Sequence, residues 1–239
     1  MKIASGFVAL CALFALSAPE KVSPIAAGTH APTISSSVWK VIDKDGHGSA
    51  FPVAEVQSPS GKPLVVFLTA RHVTSVVVGD RIVQDLSGNR KMKVTRVAAH
   101  ATKDVSLFWA ERAANDAAPI KTFALAPQVD MEIGLSLFGA GYPGKLNHFK
   151  VVRGFLGSPN IVSMAVAGGM SGMPIMLNDG RVVGILSSYP VLNWKQRVVG
   201  PAGQATPLHV HRDYEYRTEA IIVPLADVAP WLKQKGVLK

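Results

Sequence analysis

The sequence contains the run Gly169-Met170-Ser171-Gly172-Met173-Pro174 and, well upstream of it, the run Leu68-Thr69-Ala70-Arg71-His72-Val73. Between the two, Asp104 stands at the head of an apolar segment. A serine hydroxyl becomes a good nucleophile only when a neighbouring base takes its proton, and a buried carboxylate holds the imidazole of that base in one tautomer. Histidine, aspartate, serine is one of the few chain orders known for a hydrolytic triad. His72, Asp104 and Ser171 are therefore candidate triad residues.

Glycines flank the candidate nucleophile. Attack by serine on a carbonyl produces a tetrahedral oxyanion, which needs preorganised N–H donors. Gly169, two positions before Ser171, lets the backbone turn its own N–H and that of Ser171 toward one point. We therefore predict an oxyanion hole formed by the N–H groups of Gly169 and Ser171.

Each candidate also has a simpler interpretation. A single histidine at the end of an apolar strand is usually structural, a serine between glycines can be a turn residue, and Asp104 could be a surface acid. The joint presence of the three motifs in this order favours catalysis. Other acids lie between His72 and Ser171 in poorer local context: Asp80, Asp85, Asp116 and Asp130.

The composition fits a globular domain with a basic surface. Of 239 residues, 48% are hydrophobic and 17% are charged, which is ample for a buried core. The net charge of +9 favours anionic partners without identifying one. The basic residues are scattered, the densest group is 90–93, and no aromatic pattern accompanies them. We therefore expect no nucleic-acid binding, and a binder of an anionic surface or of nucleic acid is a third option that rests on the charge alone.

The N-terminus has the pattern of a secretory signal. Lys2 supplies a positive charge, residues 7–16 form an apolar run, and small residues follow up to Ala18. We predict a signal peptide at 1–18, with cleavage as late as residue 27. The protein is then secreted or periplasmic.

The apolar run is too short to span a bilayer comfortably, so we expect no stable membrane insertion once the signal is removed. The single cysteine, Cys11, lies inside it. The mature protein would then have no disulfide and no thiol chemistry. Residues 19–36, rich in Pro, Ala and Ser, are predicted to be a flexible linker.

Short β-like runs fill the rest of the chain and fall into two sets. The first set is 37–42, 49–56, 63–69, 81–83, 91–97 and 105–109. The second set is 134–138, 148–155, 161–166, 174–177, 181–186 and 220–223. Asn178-Asp179-Gly180 is a strong hairpin signal, and Asp227 could cap a last helix that ends near Gly236.

This pattern predicts an all-β fold, a double six-stranded antiparallel β-barrel with a C-terminal helix. The domain would occupy 37–239, with a first barrel at 37–114 and a connection at 115–129. A second barrel would follow at 130–223, and a helix at 227–236.

Several segments resemble the trypsin-like serine peptidases, and most of all the bacterial high-temperature-requirement proteases. They are Gly48-Ser49-Ala50-Phe51, Thr69-Ala70-Arg71-His72, Asp104-Val105-Ser106-Leu107, Gly139 to Gly144, Val152-Arg153-Gly154, Gly169 to Pro174 and Val182-Val183-Gly184-Ile185. The resemblance covers roughly residues 36–236.

The resemblance implies a chymotrypsin-like fold with its site in the cleft between the barrels. His72 would be the general base, Asp104 its orienting acid and Ser171 the nucleophile. The implied activity is that of a serine endopeptidase that cleaves protein or peptide substrates through an acyl-enzyme, without metal or cofactor. The peptide-binding PDZ module of many relatives is expected to be absent, because no second domain follows the helix.

By the same resemblance, the strand that ends in Ser187, Ser188 and Tyr189 would pair with substrate. Tyr189 would stand at the mouth of the primary specificity pocket, and Ala165 at its uncharged floor. A small aliphatic residue is therefore expected before the cleaved bond.

Two methionines depart from the family pattern. Met170 replaces an acid or amide and cannot pair with a freshly cut N-terminus, and Met173 replaces a glycine and adds volume beneath the oxyanion loop. They support an alternative, a catalytically inactive protease-fold module that binds extended peptides. His209 and His211 could form a metal pair, but with no third ligand nearby we expect exposed loop histidines and no metal site.

Overall fold

The structure is a computed structural model. It describes residues 34, 37–43, 46–74, 81–113, 116, 118–144, 148–188, 197–199, 205–207 and 217–239. The predicted signal peptide with Cys11, nearly all of the predicted linker, Asp80, Tyr189, His209 and His211 lie outside these residues.

The first six strands close into an antiparallel barrel. They are β1 (Trp39–Asp43), β2 (Gly46–Gln57), β3 (Pro63–Thr69), β4 (Ile82–Gln84), β5 (Lys91–Ala99) and β6 (Ser106–Glu111), in the order β1-β2-β3-β6-β5-β4. On β5, Met92 and Val94 point into the barrel while Lys91 and Lys93 stay exposed, as expected for period-two alternation. Inside the barrel, Phe67 stacks on Phe108 with ring centroids 5.0 Å apart.

The second barrel repeats this plan. Its strands are β7 (Ser136–Gly141), β8 (Lys150–Ser158), β9 (Ile161–Val166), β10 (Pro174–Met176), β11 (Val182–Ser188) and β14 (Arg217–Pro224), in the order β10-β11-β14-β9-β8-β7. Between β11 and β14, β12 (Arg197–Val199) and β13 (Ala205–Pro207) form a small separate sheet. The predicted hairpin joins β10 to β11, and Gly180 in its turn has a φ of +87°.

The predicted double six-stranded barrel is therefore confirmed. The observed barrel strands occupy 39–111 and 136–224, against the predicted ranges of 37–114 and 130–223. The connection crosses between the barrels: Phe123 N–H donates to Pro52 O of the first barrel, and Ala124 O accepts from Val182 N–H of the second.

The C-terminal helix begins later than predicted. One short helix, α1 (Arg71–Thr74), comes after β3. At the C-terminus a 3₁₀ turn at Leu225–Val228 precedes the second, α2 (Ala229–Gln234), and Gly236 follows with a φ of +73°. The prediction that Asp227 caps the helix is wrong, because Val228 occupies the cap position and makes no side-chain cap hydrogen bond. Asp227 lies inside the 3₁₀ turn, and its carboxylate pairs instead with Lys103 Nζ at 2.7 Å.

The two barrels share one apolar cluster. Phe51, Leu68 and Leu107 from the first barrel belong to it together with Tyr142 and Ile185 from the second. Burial of apolar surface at this seam holds the barrels against each other. No helix of the described part of the chain is long and apolar enough to cross a membrane.

Candidate active site

His72 lies on a four-residue helix, α1 (Arg71–Thr74), that follows β3 directly. Both ends of α1 are tied to the segment that carries Asp104. The Arg71 guanidinium donates to the carbonyl oxygens of His100 and Ala101, at 3.3 and 3.0 Å, and Thr74 Oγ1 donates to Ser106 Oγ at 2.8 Å. The fold therefore brings His72 beside Asp104 through contacts that do not involve either side chain.

The Asp104 carboxylate holds His72 twice. Oδ2 lies 2.8 Å from His72 Nδ1, and Oδ1 accepts the His72 backbone N–H at 2.9 Å. A carboxylate at Nδ1 favours the tautomer with its proton on that nitrogen, which leaves Nε2 as the basic nitrogen. The His72 side chain is half exposed, whereas only 24% of the Asp104 side chain is exposed. The imidazole is therefore accessible to a substrate as a base, while the carboxylate that orients it is largely shielded from solvent.

Ser187 is the third group that holds Asp104. Its buried hydroxyl, at the end of β11, donates to Asp104 Oδ2 at 2.7 Å. From the sequence, Ser187 was expected on the substrate-binding strand. In the structure its side chain reaches across the barrel seam and forms a hydrogen bond with Asp104. Nothing in the local sequence of Ser187 indicates this pairing, because the two residues are far apart in the chain.

These contacts keep Asp104 ionised. Burial alone would raise the pKa of Asp104, but hydrogen bonds from the His72 ring, the Ser187 hydroxyl and the His72 backbone N–H outweigh it. Together with the charge of His72 they lower the pKa from 3.8 to about 2. The other acids between His72 and Ser171 have different surroundings: Asp85 bonds Ser87, Asp116 pairs with Arg90, and Asp130 is exposed.

Ser171 lies in the second of two consecutive tight turns. Met170 N–H donates to Ala167 O at 3.2 Å and Met173 N–H donates to Met170 O at 3.0 Å, which closes two four-residue turns that share Met170. The third residue of each turn is a glycine with positive φ, +87° at Gly169 and +85° at Gly172, while no non-glycine residue described has positive φ. This is the signature of the type II turn, which requires glycine at that position.

The carbonyl oxygens of residues 168–171 all accept hydrogen bonds from the protein. Gly168 O accepts from Gly144 N–H at 2.6 Å, and Met170 O from Met173 N–H. Gly169 O accepts from Ser49 Oγ at 3.1 Å, and Ser171 O from Ser49 N–H at 2.8 Å. We call residues 167–173 the nucleophile loop.

The backbone N–H groups of the nucleophile loop divide differently. Those of Met170 and Gly172 donate to Ala167 O and Leu186 O. Those of Gly169 and Ser171, the predicted oxyanion-hole donors, donate to no acceptor among the described residues. Because a planar trans peptide points its N–H opposite to its C=O, fixing the carbonyls of Gly168 and Met170 also fixes these two N–H directions. The arrangement can therefore offer two N–H groups to an anion.

The two methionines anchor this loop. Met170 and Met173 are both completely buried within the core of the second barrel. Space for Met173 comes from Gly139 and Gly141 on β7: a β-carbon on Gly139 would lie 2.6 Å from Met173 Cε, and one on Gly141 3.0 Å from its Cβ. The added volume of Met173 is thus matched by missing side chains on the facing strand.

The nucleophile loop and the helix of His72 meet over Gly48. A β-carbon on Gly48 would lie 2.6 Å from Val73 Cγ1, next to His72, and 3.2 Å from Ser171 O. A β-carbon on Gly172 would overlap Ser49 O and Thr69 Oγ1 of the strands that lead to α1. The predicted triad residues are therefore gathered at one place on the barrel seam.

The predicted specificity residues are placed only in part. Ala165 is exposed on β9, and Ser188 is half-buried at the end of β11. The segments at 189–196 and 208–216, which include Tyr189, lie outside the described residues. The pocket therefore stays a prediction. Within the described ranges, no three His, Cys, Asp or Glu side chains cluster as metal ligands do.

Comparison with known proteins agrees with this architecture. The family model for the trypsin-like peptidase domain matches residues 48–185, more than half of the chain. No curated protein sequence matches.

Solved structures share the fold. One is Rv3671c from M. tuberculosis H37Rv, a serine-to-alanine mutant in its inactive form, with a TM-score of 0.57 and 18% identity over 86% of this chain and 89% of that one. Another, of the Rv3671c protease in its inactive form, has the same TM-score and identity over 86% of this chain and 91% of that one.

Replacing Ser187 tests the support of the acid. Ser187→Ala removes one hydrogen bond to the ionised carboxylate, so the pKa of Asp104 should rise from about 2 toward 3.8. A lowered pKa in the folded state stabilises the protein above the unfolded pKa, and this contribution is lost as the pH falls through the folded value. The wild type should therefore lose this stability between roughly pH 4 and pH 2, and Ser187→Ala should complete the loss at a higher pH. Urea unfolding at a series of pH values measures the free energy of unfolding of both proteins and so the pH at which this contribution is lost.

The matched control is Ser188→Ala, because Asp104 accepts hydrogen bonds only from His72 and Ser187 among the described residues. Its curve of unfolding free energy against pH should keep the shape of the wild-type curve. Identical shapes for Ser187→Ala and the wild type would show that this hydroxyl does not tune the acid.

Proposed function

Because the chain belongs to the trypsin-like peptidase family, we propose that it is a serine endopeptidase that cleaves protein or peptide substrates through an acyl-enzyme. The observation that carries the proposal is that the helix of His72, whose imidazole is held by the Asp104 carboxylate, and the nucleophile loop, whose carbonyls are turned into the protein, both approach Gly48. An inactive module would tolerate a loop carbonyl turned toward the cleft, and the hydrogen bond of Gly168 O to Gly144 N–H speaks against that alternative.

The proposed reaction has two halves. His72 Nε2 takes the proton of Ser171 Oγ as the oxygen attacks the scissile carbonyl carbon, and the oxyanion is received by the N–H groups of Gly169 and Ser171. The intermediate collapses as His72 gives its proton to the leaving amine, which leaves the acyl group on Ser171. Water then attacks the ester with His72 again as base. Collapse of this second intermediate breaks the acyl–oxygen bond and releases the carboxylic acid, as His72 returns its proton to Ser171 Oγ. Ionised Asp104 stabilises the imidazolium in both halves.

Removing the nucleophile tests the activity. Ser171→Ala should lower hydrolysis of a peptide substrate by at least ~10³-fold while the protein folds normally, because only binding and the N–H donors remain. A fluorophosphonate probe should label Ser171 in the wild type and require His72 to do so. Ser163→Ala, an exposed serine on β9, is the matched control and should keep full rate and labelling. A folded wild type that is neither labelled nor active, yet binds extended peptides, would establish the inactive module instead.

The proposed preference is for a small aliphatic residue before the cleaved bond, with Ala165 at the floor of an uncharged pocket. Profiling on a peptide library should show it, since a pocket with no carboxylate at its floor gains nothing from Lys or Arg. Ala165→Asp should raise cleavage after Lys or Arg by at least ~10-fold, because a carboxylate at the floor would pair with the cation. Ser163→Asp, on the same exposed face of β9, should not. Equal effects of the two substitutions would remove Ala165 from the pocket.

We also propose that the chain is exported and that its signal is removed. Expressed with its N-terminus intact, the protein should be recovered outside the cytoplasm, with an intact mass that places its first residue between 19 and 28. Leu13→Arg, which interrupts the apolar run, should leave the full-length chain in the cytoplasm. Full-length wild-type protein in the cytoplasm would overturn the proposal.

A further inference from the structure

Ser49 is a completely buried polar residue at the seam between the barrels. It lies on β2 of the first barrel, and its carbonyl oxygen accepts a hydrogen bond from Thr69 Oγ1 at 2.7 Å. Its other polar groups reach the second barrel. The hydroxyl accepts Tyr142 N–H and donates to Gly169 O, both at 3.1 Å, and its N–H donates to Ser171 O at 2.8 Å. A single residue of the first barrel therefore holds two carbonyl oxygens of the nucleophile loop.

The two peptide groups that Ser49 holds alternate with the two that carry the oxyanion-hole donors. The Gly169 N–H belongs to the 168–169 peptide and the Ser171 N–H to the 170–171 peptide, which are held within the second barrel by Gly144 and Met173. Ser49 fixes the intervening 169–170 peptide and the following 171–172 peptide. Each hole peptide shares an α-carbon with each neighbouring peptide, so fixing the neighbours limits its movement to rotation about the two bonds that join it to those α-carbons.

The surroundings of Gly169 limit that rotation further. A β-carbon on Gly169 would overlap His47 Nε2 and lie 2.6 Å from Tyr142 O, so this backbone is enclosed between β2 and the segment after β7. Tyr142 in turn donates its hydroxyl hydrogen to Val38 O of the first barrel at 3.0 Å. The residues packed against Gly169 thus come from both barrels, and the Ser49 hydroxyl joins them through its hydrogen bonds to Gly169 O and Tyr142 N–H.

We propose that Ser49 is a positioning residue that keeps the oxyanion hole formed before substrate binds. The inference rests on the proposed peptidase function. Without its hydroxyl, Gly169 O and Tyr142 N–H are left buried without their partner. The carbonyl oxygen then gains by turning toward another donor or water, and the N–H by turning toward another acceptor or water. A turn of the 169–170 peptide, which lies between the two hole peptides, would move the Gly169 and Ser171 N–H groups away from a common point. The first barrel would then set the reactivity of the nucleophile that the second barrel carries.

The test uses Ser49→Ala in the full chain, with Thr95→Val as the matched control. Thr95 Oγ1 also donates to a backbone carbonyl, Trp109 O, at 3.1 Å, within the first barrel and away from the loop. Ser49→Ala should lose more thermal stability than Thr95→Val, because the Ser49 hydroxyl is buried and makes two hydrogen bonds whereas Thr95 is exposed and makes one. Only Ser49→Ala should lower kcat, by about 10- to 100-fold with KM nearly unchanged, since the groups concerned act on the developing oxyanion.

A second readout separates positioning from general loosening. A peptide aldehyde adds to Ser171 as a hemiacetal whose oxygen needs the hole, whereas an unreactive peptide amide of the same sequence needs only the binding strand. Ser49→Ala should lower the binding affinity for the aldehyde by the same factor as kcat/KM and leave the binding affinity for the amide unchanged. If Ser49→Ala does not fold, Ser49→Cys keeps a weaker donor, and the same selective loss is expected at smaller size.

The outcomes distinguish the two proposals. Hydrolysis by the wild type with unchanged kcat and aldehyde affinity in Ser49→Ala would overturn the role of Ser49 and leave the peptidase function standing. Equal weakening of the aldehyde and the amide would also overturn it, because that is the result of a merely structural residue. No hydrolysis by the wild type would overturn both.

Discussion

The hydrogen bonds that turn the carbonyl oxygens of residues 168–171 into the protein are the constraint on which this site depends. A tight loop around a serine has as many carbonyls as N–H groups, and an anion is stabilised only if the N–H groups face it. Here donors from Gly144, Ser49 and Met173 take up the four carbonyls. Two N–H groups remain without a protein acceptor in the described structure, at the positions that the proposed reaction needs.

The double barrel is what makes these donors available. Gly144 and Met173 belong to the second barrel, but Ser49 comes from the first, as do His72 and Asp104. Conversely, the segment of the first barrel that carries Asp104 is held by the second barrel and the C-terminal residues. Ser187 of β11 donates to Asp104, Lys103 pairs with Asp227, and the His100 ring contacts the Trp231 ring. Each barrel thus orients the chemical groups of the other. The apolar seam between the barrels stabilises the site by the same contacts that stabilise the fold.

The sequence predicted the strands well because alternation, continuous apolar runs and glycine turns are local signals. It also singled out His72, Asp104 and Ser171 as candidates, since each stands in a recognisable local environment. It could not predict the hydrogen bonds from Ser187 to Asp104 or from Ser49 to the nucleophile loop, which join residues far apart in the chain. The prediction that Asp227 caps the helix failed for a related reason: its carboxylate pairs with Lys103, which is far away in the chain. From the sequence, Met173 was expected to add volume beneath the oxyanion loop. The space that it fills is left by Gly139 and Gly141, which lie on another strand, so the local sequence could not show that Met173 fits.

A crystal structure of the chain with a peptide boronic acid bound tests the central claim most directly. We predict a tetrahedral adduct on Ser171 Oγ, with one boronate oxygen within hydrogen-bonding distance of the N–H groups of both Gly169 and Ser171. Gly168 O should still accept its hydrogen bond from Gly144 N–H, and Gly169 O its hydrogen bond from Ser49 Oγ. A Ser171 that stays unmodified, or a nucleophile loop that must release these carbonyls before the adduct forms, would contradict it.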